Sequence, residues 1–216
     1  MKLNQISIIA RFNQEKTREF NIEAWAIAEQ FWSNLKLTDN KSVQKCNIQV
    51  YDEDSIFPKG EIKKIGSIAY TDIEIDIKEY FKLSDKEKKL LLLNIVSDGM
   101  QQIASIEKWN IDEIKEAYNR CLAQNLNYYF FIKNKFKSSP DRKFKIGLWC
   151  EWELKSCKVY GVIFSKKNEL KRLLIWELRP YVADVIYYLD WKWQDNSSII
   201  ISNSRNEIVE LISLDL

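Results

Sequence analysis

The chain contains no histidine. That single absence removes the side chain best suited to general-base work near neutral pH, and with it the commonest nitrogen ligand for metals. Ser-His-Asp hydrolases, Cys-His proteases and histidine-based zinc peptidases are excluded on inventory. Glycine is scarce, 5 in 216 residues, and proline scarcer at 3. No G-x-G-x-x-G and no Walker-type lysine loop can be written from those glycines, so phosphate-cradling loops are excluded too. The 4 cysteines, Cys46, Cys121, Cys150 and Cys157, are dispersed with no C-x-x-C pair. They read as reduced, buried thiols rather than as disulfides or a zinc site. The longest aliphatic run, 90–93 with Ile95 and Val96 beyond it, falls far short of the ~20 residues a spanning helix needs. Residues 1–11 lack the basic segment and apolar core of a signal peptide. A cytoplasmic chain without a membrane partner is expected.

Charge of one sign is also missing. The chain sets 33 basic residues against 31 acidic ones, a net +2, and the two kinds are mixed throughout. That balance leaves no basic footprint for nucleic acid. What is present is a globular composition, 46% hydrophobic and 30% charged, with 8 Trp, 10 Tyr and 10 Phe. Such a chain can bury a sizeable core.

Periodicity places the elements. Residues 3–12 read as an opening strand, and 21–35 as a helix with Ile22, Trp25, Phe31 and Trp32 on one face. A polar loop covers 37–45, a short strand 46–51, and a loop with Pro58 and Gly60 follows the acidic run 52–54. Residues 68–77 alternate, Ile73, Ile75 and Ile77 against Asp72, Glu74 and Asp76, as a half-exposed strand does. Ser84 with Glu87 makes a capping box, and Asn110 with Glu113 a second helix start. The two helices they open are expected to form a hairpin within 85–124. The stretch 133–143, basic with Ser-Ser-Pro inside it, reads as a linker between a mixed half, 1–132, and a β half, 144–216.

Past that point the period becomes two. Phe144, Ile146, Leu148, Cys150, Trp152 and Leu154 form one face; Lys145, Gly147, Trp149, Glu151 and Glu153 form the other. Segments 159–164, 170–178, 181–193, 199–201 and 208–212 continue the pattern, with a turn at 203–206; Pro180 also suits a helical start at 181. The expected fold is a single α+β unit. An antiparallel meander of five or six strands in the C-terminal half packs against a helical layer, and the early strands extend the sheet.

Four candidate sites follow. Pro140-Asp141 with Glu153, Leu154 and Lys155 has the letters of the PD-(D/E)xK nuclease signature, in which two carboxylates hold a divalent metal and a lysine activates water. An unbroken strand across 144–154 would hold Asp141 and Glu153 roughly 40 Å apart, at about 3.3 Å per residue. Asp72, Glu74 and Asp76, with 52–54 nearby, offer an acidic surface for a basic protein partner such as a toxin or enzyme. Trp149 and Glu151 stand in the polar phase of their strand, where an exposed tryptophan would be a binding hot spot. Lys133, Lys135, Lys137, Arg142, Lys143 and Lys145, interleaved with Tyr128, Tyr129, Phe130, Phe131 and Phe136, could serve an accessory role on nucleic acid. The missing catalytic inventory, the acidic face and the surplus of Trp and Tyr favour the second and third. The sequence therefore points to a non-catalytic protein-binding module of the bacterial immunity or antitoxin kind, using Asp72, Glu74, Asp76, Trp149 and Glu151 and no cofactor. A metal-dependent nuclease is the alternative, and a nucleic-acid-binding accessory protein the third.

Overall fold

Alternation at Ile6, Ile8 and Ala10 makes residues Gln5–Ala10 a strand (β1) with one buried face. In a computed structural model of the chain, residues 3–12, 14–38, 43–53, 55, 62–205 and 207–214 are described, without the side chains of Gln14, Glu15, Tyr181 and Val209. Asp54, Pro58, Gly60 and Asn206 lie outside them. The chain divides into two units, 1–127 and 128–216.

In the first unit β1 leads through helix α1 (Gln14–Asn34) to β2 (Lys45–Tyr51), then β3 (Lys63–Ile65), β4 (Ile68–Glu74), the single turn α2 (Ile77–Tyr80), α3 (Asp85–Glu107) and α4 (Ile111–Ala123). The sheet order is β1-β2-β4-β3. β1, β2 and β4 are parallel, with Ile6 beside Cys46 and Ile48 beside Thr71, and β3 is antiparallel to β4. Parallel neighbours need a crossover, which α1 supplies between β1 and β2. One face of the sheet carries Ile6, Ile8, Ala10, Cys46, Ile48, Val50 and Ala69, all buried, and α1 and α3 pack on it. α3 comes so close that a Cβ at Gly99 would lie 2.7 Å from Ile48 Cγ1. The expected capping box is present at Ser84 and Glu87, and Asn110 caps α4 by accepting from the Asp112 amide. α3 and α4 form the expected hairpin, joined by Tyr118 Oη donating to Asn94 Oδ1 at 2.9 Å.

The second unit is antiparallel, as its alternation foretold. Strands β5 (Tyr128–Ser138), β6 (Phe144–Trp152), β7 (Cys157–Ser165) and β8 (Asn168–Leu178) form a four-stranded meander. A 3-10 helix, Pro180–Tyr188, leads into a second sheet of β9 (Asp190–Trp193), β10 (Ser198–Ser202) and β11 (Ile208–Ser213), ordered β11-β10-β9. Pro180 sits at the start of the 3-10 helix, so 181–188 takes the helical option its proline allowed. The inner face of the meander carries Ile146, Leu148, Cys150, Trp152, Val159 and Ile163, all buried. Gly161 lies under Ile212 of the second sheet, and Trp191 Nε1 donates to Ile146 O at 3.4 Å.

Three expectations are corrected. The early strands do not extend the C-terminal sheet; they make a largely parallel sheet of their own. The stretch 133–143 is not a linker: its first six residues are the far half of β5, and the unit boundary falls after residue 127. Lys133, Lys135 and Lys137 there reach β9 and the residue before it, so a composition typical of solvated linkers belongs to a strand whose lysines are engaged. The strand expected across 68–77 ends at Glu74, because Asp76 caps α2.

Candidate functional site: an aromatic face on the C-terminal sheet

The register of the meander decides which side chains share its outer face. Phe131 stands opposite Trp149, Phe136 opposite Gly147, Trp149 opposite Tyr160 and Lys145 opposite Phe164. On β8, Leu174 stands opposite Tyr160 and Arg172 opposite Val162. The face thus gathers six aromatic residues, Tyr129, Phe131, Phe136, Trp149, Tyr160 and Phe164, and none of them is buried. Their rings touch in edge and tilted geometries: Phe131 with Trp149 at 4.8 Å, with Phe136 at 4.8 Å and with Phe164 at 6.0 Å between centroids. Such contacts favour a fixed arrangement over a fluid one. The cluster can lie flat because β6 has no side chain at Gly147. A Cβ there would fall 2.7 Å from Phe136 Cε1 and 3.0 Å from Phe131 Cδ1. β5 carries extra residues between its two paired segments, with Lys133 and Asn134 at positive φ. That bulge re-aims the strand so that Phe131 and Phe136 flank one spot.

A charged network crosses the cluster. Arg172 donates from Nε and Nη2 to both oxygens of Glu169, at 3.0 and 3.1 Å, and from Nη1 to Glu151 Oε1 at 3.2 Å. Trp149 Nε1 donates to that same Glu151 oxygen at 3.0 Å. The guanidinium carbon sits 5.5 Å from the Trp149 ring centre and 5.7 Å from that of Tyr160, in cation–π range. The hydrogen bonds to Arg172 hold the Glu169 carboxyl below its ordinary range, and Glu169 in turn raises the pKa of Arg172. At one end Tyr129 Oη donates to Glu153, and burial together with that carboxylate pushes the phenol up. Charges on this face balance: Lys145, Lys158 and Arg172 stand against Glu151, Glu169 and Glu177.

The other candidates fall elsewhere. β6 pairs with β7 without a break from Phe144 to Trp152, so Asp141 and Glu153 stand beyond its opposite ends, at least roughly 30 Å apart at about 3.3 Å per residue. Asp141 shapes the β5–β6 turn, accepting from Ser139 Oγ at 2.7 Å and from the Lys143 amide at 3.1 Å. These hydrogen bonds, Ser139 first, lower its pKa. Lys155 lies exposed in the β6–β7 turn near Glu153. Among the described residues no three Cys, Asp or Glu side chains converge on a point where a metal ion could sit.

Glu74 and Asp76 line a hollow of about 230 Å³ with Asp52, Glu53 and Lys78, at the carboxyl ends of β2 and β4. Asp72 lies a step back along β4 and does not line it. The Asp76 carboxylate is committed to α2, accepting from the Lys78 and Glu79 amides at 2.8 and 3.0 Å. The lysines of 133–137 are committed as well. Lys133 donates to Leu189 O at 2.8 Å, and Lys135 and Lys137 bind Asp190 at 2.7 and 3.2 Å. Trp149 and Glu151, singled out in the sequence, lie on this face, and so do Tyr129, Phe131 and Phe136, which the sequence offered only as aromatics beside the basic stretch; Tyr160, Phe164 and Arg172 were not singled out. Only strand register brings these together, although the gap left by Gly147 between two polar-phase positions was a local sign.

Comparison with protein-family models, with curated proteins and with solved structures gives no match. The fold and this face define the chain as an α+β protein that presents an ordered aromatic surface on an antiparallel sheet. No helix among the described residues is long and apolar enough to cross a membrane.

Proposed function

We propose that the chain is a non-catalytic protein-binding module whose contact surface is the outer face of β5–β8. One observation carries this reading: six unburied aromatic residues on one sheet face, crossed by an Arg172–Glu151–Glu169 network. Trp, Tyr and Arg are the residues in which binding hot spots are enriched. A contiguous exposed apolar patch rimmed by polar groups is the mark of an interaction site. The balance of charge on the face favours a protein over nucleic acid, whose phosphates need a surplus of Lys and Arg. Blocking a toxin or enzyme by complementarity, as immunity proteins and antitoxins do, fits a surface with no reactive group in it. The buried free thiols suit action in the reducing cytoplasm.

The test is affinity capture from the native host with wild-type, Phe136→Ser and Trp149→Ala chains. A partner retained by the wild type should bind each variant at least ~30-fold more weakly, the scale of a hot-spot loss of about 2 kcal/mol. Equal retention by all three, salt-dependent retention on a polyanion column, or divalent-dependent hydrolysis of nucleic acid lost in Glu153→Ala would each refute the reading.

A further inference from the structure

Strand β8 closes the meander on one side, and among the described residues it pairs with β7 alone. It is eleven residues long, and six of them are apolar: Leu170, Leu173, Leu174, Ile175, Trp176 and Leu178. Not one of the eleven is buried. Leu170 is 52% and Leu174 53% exposed. A long, apolar, unburied edge strand is an open template, because its outward amides and carbonyls await another strand. The edge strand β3, by contrast, is three residues with two lysines.

We propose that β8 is a homodimer interface, in which two copies of this chain pair their β8 strands antiparallel about a two-fold axis at Leu174. The occupant follows from charge. Pairing with β7 puts Arg172, Leu174 and Glu177 on the outer face in that order, opposite Val162, Tyr160 and Lys158. An extra residue, Ile175, lies between the last two. A two-fold axis makes the contact self-complementary. Centred on Leu174, it sets each Arg172 opposite the copy's Glu177, with leucine against leucine between them. Moved one outer position toward Arg172, it opposes arginine with arginine; moved one position toward Glu177, it opposes glutamate with glutamate. Like charges directly opposite one another destabilise a strand pair, and opposite charges support it. Only the Leu174 register satisfies both copies. The paired sheets would run as one eight-stranded sheet carrying two aromatic faces, so the inference extends the proposed function without depending on it.

The experiment is sedimentation of the purified full chain, together with cysteine cross-linking under oxidised glutathione. The four native cysteines are buried and do not compete. The wild type should sediment as a dimer at tens of micromolar, and Leu174→Lys, which folds because the site is exposed, as a monomer. Leu174→Cys should form an interchain disulfide, since the axis brings its two copies within bonding reach. Leu170→Cys should not, because its copies would stand roughly 25 Å apart at about 3.3 Å per residue. A monomeric wild type with no Leu174→Cys cross-link would overturn the proposal. So would cross-linking of both cysteine variants alike, or a strand from another protein occupying β8 while the isolated chain stays monomeric.

Discussion

The most demanding single side chains are a pair of charges removed from water. Glu23 of α1 is 2% exposed and Lys88 of α3 4% exposed. The ammonium donates to both carboxylate oxygens, at 3.0 and 2.9 Å, and Tyr80 Oη donates to one of them at 2.7 Å. Lys88 Nζ also lies 4.9 Å from the Tyr80 ring centre, and burial together with Glu23 pushes that phenol well up. A buried pair adds little over a well-packed apolar pair, but removing one member strands the other charge. Glu23→Gln or Lys88→Met alone should cost about 3–5 kcal/mol, and the double variant Glu23→Leu/Lys88→Met should recover most of it. Urea unfolding of the three chains checks this, and additive losses would refute it. Neither residue could be singled out from the sequence. Two charged letters 65 positions apart carry no sign that they meet, and both sat in helices whose surface charges looked ordinary.

Asp190 gives a second effect at this scale, with a definite sign. Burial pushes its carboxyl up, but the hydrogen bonds from Lys135 and Lys137 outweigh that and hold it at about 2. A carboxyl depressed in the folded state contributes stability above its unfolded pKa of about 4, and loses it as pH falls toward the folded value. Its side chain is 51% exposed, so solvent screening keeps the contribution to about 0.2–1 kcal/mol. The thermal midpoint of Asp190→Asn should therefore fall less than that of the wild type between pH 4 and pH 2. Parallel acid limbs would show that the lysines do not act through this carboxylate.

At the scale of elements, the chain is readable wherever the signal is local. The capping box at Ser84, the helix start at Asn110 and the period-two pattern of β6 each depend on residues a few positions apart. Only the far half of β5 was missed, because it is written in lysines and follows a bulge, and only pairing with β6 and ion pairs to β9 show it to be strand. The β5–β6 hairpin also makes Gly147 a packing requirement. Gly147→Ala places its methyl into the Phe136 and Phe131 rings. Phe136 is 42% exposed and can swing outward, so the expected cost is about 1–3 kcal/mol, the range for an overpacked site. Partner affinity should fall with it, because the aromatic surface would be rebuilt. Unchanged affinity in Gly147→Ala would mean that the order of this cluster is irrelevant to binding.

At the scale of the whole molecule, what stayed hidden was non-local. Nothing in residues 3–12 or 46–51 states that they run parallel, or that Ile6 sits beside Cys46; the α1 crossover and the shared burial against α3 decide it. The outer aromatic face is hidden for the same reason, its six aromatic residues being spread over three strands between Tyr129 and Phe164. The thiols follow the opposite rule, since their dispersal alone argued for burial, and they report on both units. Cys46 and Cys121 belong to the first, where burial raises their pKa to about 12 and about 11. Cys150 and Cys157 belong to the second, with sulfurs 3.5 Å apart, and the hydrogen bond between them, then burial, drives Cys150 far up. All four thiols are buried, so none should react with an aromatic disulfide reagent in the folded chain at pH 8. Labelling of each pair should follow the loss of its own unit's structure as denaturant is raised, as mass spectrometry of the modified peptides can read. Fast labelling of Cys150 or Cys157 in the native state would mean that the inner face of the meander opens to solvent, and that the outer face is then no rigid platform for a partner.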